Sequence, residues 1–303
     1  MSLLRNLNRA LTATTGLQVR RAAPPAPAEP EAATSKGVAS KAAAKKPTPV
    51  YRCPGSEDLA TDRLLRQPVF IMSPVRSGST LLRMLLNAHS RLHAPHELHI
   101  RRLEVGYGSK LSQKAMSALD LERGDLEHLL WDRVMHRELV RSGKDFVVEK
   151  TPSNAFVYRR IRDCWPDARF VFLLRHPVSI ARSWHEGDPG KRTYEEAAAD
   201  ALRYMKAVDN ARKGITGGYT VRYEEITADP EKEMRGLCTF LGIDFEPAML
   251  EYGKKNDSQV VKGLGDWRDK IKSGAVQTGR ALPADDEIPG LLRPMCQAWG
   301  YSK

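Results

Sequence analysis

The feature that most constrains the fold is a turn of small residues between an apolar strand pattern and an apolar helix pattern. Residues 68–72 form a short run of β-branched and aromatic side chains, which is typical of a buried parallel strand. Residues 81–88 are apolar at helical spacing and contain no breaker. The turn between them, residues 73–80, therefore presents free backbone N–H groups at the positive end of a helix dipole. Such a turn binds anions, most often phosphate.

The turn differs from the Walker A loop of nucleoside-triphosphate-binding proteins at chemically decisive positions. A Walker A loop has the form Gly-x-x-x-x-Gly-Lys-Ser/Thr, and its Lys reaches the β- and γ-phosphates. Here Ser73 stands in place of the first Gly and Ser79 in place of the Lys, while a cation appears earlier, at Arg76. A nucleotide kinase of the P-loop type is therefore an alternative that stays open but is disfavoured.

A second set of anion-binding side chains follows the strand pattern at residues 169–174. Arg175 comes directly after this apolar run, so it emerges at the carboxyl edge of a parallel sheet, where open α/β folds bind ligands. Pro177 suits the first turn of the next helix, and Ser183 lies eight positions after Arg175. A guanidinium and a hydroxyl together suit a phosphate monoester. The sequence thus predicts two separate anion sites.

These blocks resemble the sulfotransferases that use 3′-phosphoadenosine-5′-phosphosulfate (PAPS), and they are closest in motif to the tyrosine- and carbohydrate-type enzymes. In that family a turn of the form Arg/Lys-Ser-Gly-Ser/Thr-Thr-Leu binds the 5′-phosphosulfate, and an Arg with a later Ser binds the 3′-phosphate. Residues 265–268 resemble the segment that closes over the nucleotide. The resemblance implies PAPS as cosubstrate, adenosine 3′,5′-bisphosphate (PAP) as product, and these nucleotide-binding residues: Arg76, Ser77, Gly78, Ser79, Thr80, Leu81, Arg175, Ser183, Trp267 and Arg268.

The same resemblance indicates a general base after the first helix. In the tyrosine- and carbohydrate-type enzymes a Glu at this place lies close to the reacting oxygen, and Glu97 stands at the matching offset from Arg76. Aryl sulfotransferases use a His in a Lys-Thr-His segment instead, where this chain has Pro152. We therefore expect Glu97 to be the base. His96 and His99 flank it and remain alternatives for the base, or ligands of the acceptor.

Two cations are expected to stabilise the charge that develops as the sulfate leaves. Lys150 follows a strand pattern at residues 146–149 and matches a family Lys that contacts the transferring group. Together with Arg76 it can neutralise the oxygen that bridges sulfate and 5′-phosphate. Glu97, Lys150 and Arg76 are thus the predicted catalytic residues. The His spacing around Glu97 fits no zinc pattern, so no metal is expected.

The sequence therefore predicts sulfuryl transfer from PAPS to an acceptor hydroxyl by in-line displacement. A module that binds PAP without catalysis is a second alternative beside the kinase. Because the aryl-type His is missing, a carbohydrate or small-metabolite acceptor is favoured.

Short strand patterns alternate with helix patterns along the chain, which predicts an α/β fold with a parallel sheet flanked by helices. The resemblance implies the three-layer, P-loop-like form of that fold. A loop that carries the base is expected after the first helix, and further helices extend to about residue 141. Strands are predicted at residues 69–73, 146–149, 169–174 and 219–223. The main helices are predicted at residues 80–88, 153–163, 177–186, 193–213, 230–241 and 287–299.

The first 50 residues differ in composition from the rest of the chain. Residues 22–50 are rich in Ala, Pro and Lys, which predicts a disordered extension before a sulfotransferase domain over residues 51–303. Eight basic and two acidic residues give residues 1–50 a charge of +6, which leaves +5 of the total +11 for the domain. Positive charge shared in this way does not indicate nucleic-acid binding, whereas a basic domain suits an anionic cosubstrate.

Patterns near the start of the chain also bear on location. Residues 2–20 could form a basic helix with leucines on one face, which predicts a weak contact with a membrane surface or a protein. The segment also resembles a transit peptide, so import into an organelle is an alternative to the cytoplasm. The four cysteines are scattered, which favours a reducing compartment. We therefore expect a cytoplasmic protein.

Overall fold

A computed structural model of the chain describes residues 62–253 and 274–302. Five parallel strands form one sheet in the order β2-β3-β1-β4-β5. They comprise β1 (Val69–Met72), β2 (Leu92–His93), β3 (Phe146–Glu149), β4 (Arg169–Leu174) and β5 (Tyr219–Arg222). Helices cover both faces of the sheet, so the predicted α/β fold class is confirmed. Because β1 is the central strand, the turn that follows it lies at the middle of the carboxyl edge of the sheet.

The helices connect the strands in chain order. They are α1 (Ser79–Asn87), α2 (Lys110–Ala118), α3 (Arg123–Ser142), α4 (Tyr158–Cys164), α5 (Pro177–His185), α6 (Tyr194–Gly214), α7 (Tyr223–Ala228), α8 (Pro230–Leu241) and α9 (Arg293–Ala298). Short 3₁₀ helices lie at Ile100–Arg102, Pro152–Val157, Pro247–Glu251 and Asp285–Glu287.

Alternate residues of each strand enter two separate hydrophobic cores, one on each face of the sheet. On β1, Phe70 and Met72 pack into the core that contains Trp165, whereas Val69 and Ile71 pack into the core beneath α1. All four side chains are almost fully buried. Because burial of one large apolar side chain stabilises a fold by about 1.5–3 kcal/mol, both faces hold the central strand in place.

Three segments differ from the sequence prediction. The strand β2, of two residues, lies where only a loop was expected, and it pairs with β3. Tyr223 begins α7 instead of ending β5. The last helix was predicted over residues 287–299 but spans only Arg293–Ala298. Pro294 explains this shortening, since it would lie in the interior of the predicted helix but lies in the first turn of the observed one, where proline is tolerated.

A lysine fixes the end of α1 and the start of the segment that carries the predicted base. The Nζ of Lys144 donates hydrogen bonds to the carbonyl oxygens of Asn87, His89 and Leu92, at 2.9, 2.9 and 2.6 Å. An ammonium group can donate three hydrogen bonds, and helix C-termini leave carbonyl oxygens without helical partners. Lys144 thus ties α1 and β2 together.

Other sequence predictions lie outside residues 62–253 and 274–302. These are the disordered extension over residues 1–50 and the basic helix over residues 2–20. Within the described ranges, no helix combines the length and apolarity that crossing a membrane requires. Three of the four cysteines are free and buried, at positions 164, 238 and 296.

Candidate active site

The predicted site residues follow three neighbouring strands of the sheet. Strand β1 pairs with β3 through Phe70 and Glu149, and it pairs with β4 through Met72 and Phe172. Because all three strands are parallel, the chain leaves them at the same edge. The turn after β1, Lys150 after β3 and Arg175 after β4 therefore meet at the carboxyl edge, where open α/β sheets bind ligands.

The turn after β1 has a backbone that requires glycine at its last position. Gly78 has a φ of 90° and is the residue directly before α1. A Cβ atom at Gly78 would lie 2.3 Å from Cδ2 of Tyr223, too close for any side chain. Arg76 also has a positive φ, of 66°, and the Ser77 hydroxyl donates to the Pro74 carbonyl at 2.7 Å. These dihedral angles and this hydrogen bond therefore hold the turn in the conformation from which α1 starts.

The start of α1 offers main-chain groups to a ligand. Ser79 and Thr80 are buried, and the Leu81 side chain packs in the core beneath the sheet. The backbone N–H groups of these three residues precede the first intrahelical bond, from Leu82 to Gly78, and N–H groups at a helix start have no partner within the helix. They therefore suit an anion, as the sequence predicts.

The two predicted anion-binding blocks meet directly. The Arg76 Nε donates to the Ser183 hydroxyl at 3.3 Å, and the Arg175 Nη1 donates to the Arg76 carbonyl at 2.9 Å. The Arg175 guanidinium also stacks over the Tyr223 ring, 4.3 Å from its centroid. Arg76, Arg175 and Ser183 therefore form one basic cluster, although Arg76 and Ser183 lie 107 positions apart in the chain.

Arg175 has unused hydrogen-bonding capacity in a buried position. Its Nε is buried with no hydrogen-bond partner among the residues that the structure describes. Burial lowers the pKa of Arg175, and the Tyr223 and Glu224 side chains oppose this change. A buried guanidinium donor without a partner is costly unless an anion completes it. This atom therefore favours an anionic ligand at Arg175.

A cavity of about 200 Å³ lies beside Arg175. Residues from three segments line it, and they include Ser179, Tyr223 and Arg280. The Arg280 guanidinium is itself held by the Glu186 carboxylate at 2.8 Å. The cavity thus offers guanidinium donors and an aromatic ring, both of which suit a nucleotide.

Sequence reasoning missed Tyr223, which completes this part of the site together with Glu224. The Glu224 carboxylate accepts from the His176 backbone N–H at 3.0 Å and from the Tyr301 hydroxyl at 2.7 Å. It thereby fixes the residue after Arg175. Tyr223 follows β5 directly, so its position at a strand end was the available signal.

A second centre contains the predicted base. The Lys150 Nζ lies 2.5 Å from the Glu97 Oε1, and the His99 Nε2 lies 3.3 Å from the Glu97 Oε2. Lys150 is 1% exposed and Glu97 is 13% exposed, so only the carboxylate opens toward solvent. Burial lowers the pKa of Lys150, whereas Glu97 opposes that change. His96 makes no hydrogen bond or ion pair to another described residue, so His99 is the histidine that accompanies Glu97.

Beneath this centre, Glu149 supports the loop that carries Glu97. The Glu149 carboxylate is fully buried and accepts four hydrogen bonds, from the Leu98 N–H, the Thr151 N–H and hydroxyl, and the Asn154 amide. The Thr151 hydroxyl in turn accepts from the His99 N–H at 3.1 Å. Burial raises the pKa of Glu149 to about 7, and the hydrogen bonds from the Thr151 hydroxyl and the Leu98 N–H only partly offset that effect.

Two of the predicted nucleotide-binding residues, Trp267 and Arg268, lie outside the described residues. In the part of the chain that the structure describes, no three His, Cys, Asp or Glu side chains form a group that could hold a metal ion.

Comparison with known proteins adds independent information. A model of the sulfotransferase family matches residues 68–247. The chain is 26% identical over 234 residues to the nodulation protein NoeE of Sinorhizobium fredii, which covers 66% of this chain and 55% of that protein. It is 23% identical over 201 residues to protein-tyrosine sulfotransferase 1 of Danio rerio, which covers 61% of this chain and 55% of that protein.

Other similarities are more distant. A match to the Mycobacterium tuberculosis protein named omega-hydroxy-beta-dihydromenaquinone-9 sulfotransferase Stf3 has 26% identity over 156 residues, 44% of this chain and 40% of that protein. The chain thus spans about half the length of these curated relatives. The sulfotransferase domain from the curacin biosynthetic pathway has a similar fold, with a TM-score of 0.55 and 21% identity over 78% of this chain and 99% of that one.

Proposed function

This chain belongs to the sulfotransferase family, and on that premise we propose that it transfers a sulfuryl group from PAPS to an acceptor hydroxyl. The observation that carries the proposal is the basic cluster in which Arg76 contacts Ser183 and Arg175 contacts the Arg76 carbonyl. The cluster joins the two blocks that resemble the two phosphate-binding parts of such enzymes. Its member Arg76 follows β1, which pairs with β3, and Lys150 follows β3 and contacts Glu97.

The basic cluster would bind the nucleotide at both of its phosphate ends. The backbone N–H groups of residues 78–81 and the Arg76 side chain would face the 5′-phosphosulfate, as helix starts bind phosphate. Arg175 and Ser183 would hold the 3′-phosphate, and the buried Nε of Arg175 supplies a donor for it. The cavity beside Tyr223 has room for the nucleoside, and Trp267 and Arg268 are proposed to close over it.

The acceptor hydroxyl would lose its proton to the Glu97 carboxylate as its oxygen attacks sulfur. The new bond forms between the acceptor oxygen and sulfur, and the bond from sulfur to the bridging phosphate oxygen breaks on the opposite side. The electron pair of that bond remains on the phosphate of PAP. Lys150 and Arg76 would stabilise this charge, because fixed cations at a developing charge lower the barrier.

Glu97 would serve best after its contacts rearrange. In the structure both of its oxygens are engaged, one by Lys150 and one by His99. The more exposed contact is that of His99, whose side chain is 43% exposed. The acceptor hydroxyl would therefore displace His99 and leave Lys150 in place. In this proposal, no metal takes part in the reaction.

The experiment that tests the proposal compares nucleotides and then transfer. Thermal unfolding of the full chain is measured with PAP, ADP and ATP with Mg²⁺, and a preferential rise in Tm with PAP is expected. Incubation with PAPS labelled in its sulfate should then give a labelled acceptor from mixtures of hydroxylated compounds. Preference for ATP would instead support a kinase, and binding of PAP without any transfer would support a module that only binds the nucleotide.

The acceptor is proposed to be a carbohydrate or small metabolite. The named relatives include a protein-tyrosine enzyme and a menaquinone enzyme, which shows that members with this similarity differ in acceptor. A cytoplasmic location and a disordered extension over residues 1–50, before a domain over residues 51–303, remain part of the proposal. Mass spectrometry of acceptor mixtures would identify the acceptor class from the compounds that gain the mass of a sulfate group.

A further inference from the structure

The 3₁₀ helix that begins after His99 contributes to a group of rings and guanidinium groups that the proposed reaction does not use. We call it the arginine–aromatic cluster, and it consists of Arg101, Phe156, Trp184, Arg203 and Tyr204. The Phe156 and Tyr204 ring centroids lie 4.8 Å apart, and those of Trp184 and Tyr204 lie 5.6 Å apart, both with edge-to-face geometry. Phe156 is 38% exposed, so one ring of the cluster faces solvent.

The guanidinium groups stack on the same rings. Arg101 lies over Phe156, 5.7 Å from its centroid, and Arg203 lies 5.8 Å from the same ring and 5.6 Å from that of Tyr204. Stacking on a ring orients a guanidinium and leaves its edge donors available. The cluster therefore places guanidinium donors next to the exposed Phe156 ring.

Positive charge at Arg101 has no carboxylate to balance it within the described part of the chain. Arg203 has Asp200 at 3.7 Å, but no described acid lies within ion-pair distance of Arg101. The Arg101 Nε is buried and has no described hydrogen-bond partner. Burial and the neighbouring Arg102 both lower the pKa of Arg101. An anion at this place would relieve both effects.

The cluster borders the acceptor side of the site, because three of its segments continue directly from site residues. The 3₁₀ helix that contains Arg101 starts after His99, which contacts Glu97. The 3₁₀ helix that contains Phe156 starts two residues after Lys150. Trp184 follows Ser183, which contacts Arg76. The chain thus connects the cluster to Glu97, Lys150 and Ser183 within a few residues.

Resting on the sulfuryl transfer proposed above, we propose that the arginine–aromatic cluster binds the acceptor, and that the acceptor is a small hydroxylated ring compound carrying a carboxylate or phosphate. Its ring would lie against Phe156 and its anionic group would pair with Arg101. One exposed ring suits a single ring of a ligand. An anion paired at Arg101 would orient the neighbouring hydroxyl toward Glu97, as a planar guanidinium orients a carboxylate or phosphate.

The test measures binding to the full chain saturated with PAP. Glucose, glucuronate and glucose 6-phosphate serve as probes, since they share a ring and differ in charge, and binding is followed by ligand-observed NMR. We expect both anionic probes to bind more tightly than glucose. Arg101→Gln should weaken the anionic probes about tenfold, as expected for a lost charge-assisted hydrogen bond. Arg101→Lys should weaken them less, because it keeps the charge.

Two further variants make the result specific. Phe156→Ala should weaken all three probes, because the ring contact is lost for each of them. Arg235→Gln is the matched control, since Arg235 is an exposed arginine paired with Glu231 on α8. The buried side chains of α8 belong to the core beneath α1. It should leave the binding of every probe unchanged. Thermal unfolding of each variant confirms that it is folded.

Several outcomes would overturn the proposal. Equal binding of glucose and the anionic probes, no detectable binding of the anionic probes, or unchanged binding in Arg101→Gln each contradicts it. Tighter binding of an acidic peptide than of glucuronate would also contradict it, since the acceptor would then be a protein. PAP affinity is measured in the same samples, so that a failure of the nucleotide assignment is distinguished from a failure of the acceptor assignment.

Discussion

The donor side and the acceptor side of the candidate site differ in what holds their side chains in place. On the donor side the predicted residues hold one another, since Arg76 contacts Ser183 and Arg175 contacts the Arg76 carbonyl. On the acceptor side Glu97 lies on a loop whose support comes from Glu149, a residue with no predicted role. The donor-side residues thus form a cluster with Tyr223 and Glu224 beside it, whereas the loop of Glu97 depends on a buried carboxylate beneath it.

The two sides also differ in how charge is balanced. Glu97 and Lys150 neutralise each other at 2.5 Å. Among the described residues, Arg175 donates a hydrogen bond to the Arg76 carbonyl and stacks on the Tyr223 ring. Its Nε has no described hydrogen-bond partner. Arg175 is therefore suited to an anion, whereas the Glu97–Lys150 pair is suited to the neutral hydroxyl of the acceptor. Changes on the two sides should separate binding from turnover.

The largest expected effect is on turnover, from Glu97→Gln. Loss of the base should lower kcat by about 10²–10⁴-fold, the range found for a positioned general base. Gln can still accept a hydrogen bond from Lys150, so the fold and the PAP affinity should persist. The measurements are steady-state transfer with labelled PAPS and a titration with PAP.

Glu231→Gln provides the control for that variant, because Glu231 is an exposed carboxylate that pairs with Arg235 on α8. It should change neither kcat nor PAP affinity. A Glu97→Gln protein with full activity would remove Glu97 from the mechanism, and His99 would become the next candidate for the base.

A smaller effect, on binding, is expected from Arg175→Gln. The loss of charge-assisted hydrogen bonds to the 3′-phosphate should raise the Kd for PAP about 10–100-fold, since such bonds contribute about 1.5–3 kcal/mol each. Calorimetry with PAP and with adenosine 5′-phosphate gives the measurement. The second nucleotide lacks the 3′-phosphate and should bind the variant and the unaltered protein alike. Equal PAP affinity in both proteins would refute the assignment of Arg175.

Glu149→Gln should act on turnover but not on PAP binding, with an effect of about tenfold on kcat. The amide cannot accept all four hydrogen bonds that the carboxylate accepts. A small displacement of the loop with Glu97 then misplaces the base, and a shift of about 1 Å can cost up to about 10²-fold in rate. Steady-state kinetics give the rate, and hydrogen exchange at Leu98 reports on the loop.

A purely structural role for Glu149 would give a different pattern. Exchange would then rise throughout the domain, and PAP affinity would fall together with kcat. Thr151→Val is a second variant for the same network, because it removes the hydroxyl that links Glu149 to the His99 N–H while it keeps a similar volume. Unchanged kcat in both variants would separate the network from catalysis.

The sequence predicted the donor side more fully than the acceptor side, for a physical reason. The turn before α1 and the residues after β4 are each defined within about ten positions, by strand, turn and helix patterns. Their meeting at one edge follows from the parallel sheet. Tyr223 escaped prediction because its role depends on a close approach to Gly78, a contact between segments far apart in the chain.

On the acceptor side, the pairing of Glu97 with Lys150 arises from tertiary contact across 53 positions. The pattern of residues 146–149 indicated a strand but could not show that Glu149 would accept four hydrogen bonds in full burial. The two-residue strand β2 is too short for its pattern to be distinguished from a loop. Long-range hydrogen bonds therefore determine this side, and periodicity does not report them.

The smallest expected effect concerns stability and again involves Glu149. Burial raises the pKa of this carboxyl to about 7 in the folded protein, from an ordinary value near 4.5. As pH rises from 4.5 to 7, the unfolded chain releases this proton before the folded protein does. The folded state binds more protons in this interval, so the stability of the protein falls as pH rises.

Glu149→Gln removes this titration, so the variant and the unaltered protein should respond differently to pH. Relative to the variant, the unaltered protein should lose a few degrees of Tm between pH 5 and pH 8, since 1 kcal/mol corresponds to about 2–4 °C in a domain of this size. Thermal unfolding of both proteins at matched ionic strength gives the difference, from which other titrating groups largely cancel. A constant difference in Tm would mean that Glu149 is ionised throughout. The acceptor-side support would then depend on a permanent buried charge, balanced by Lys150, rather than on a carboxyl that titrates near neutral pH.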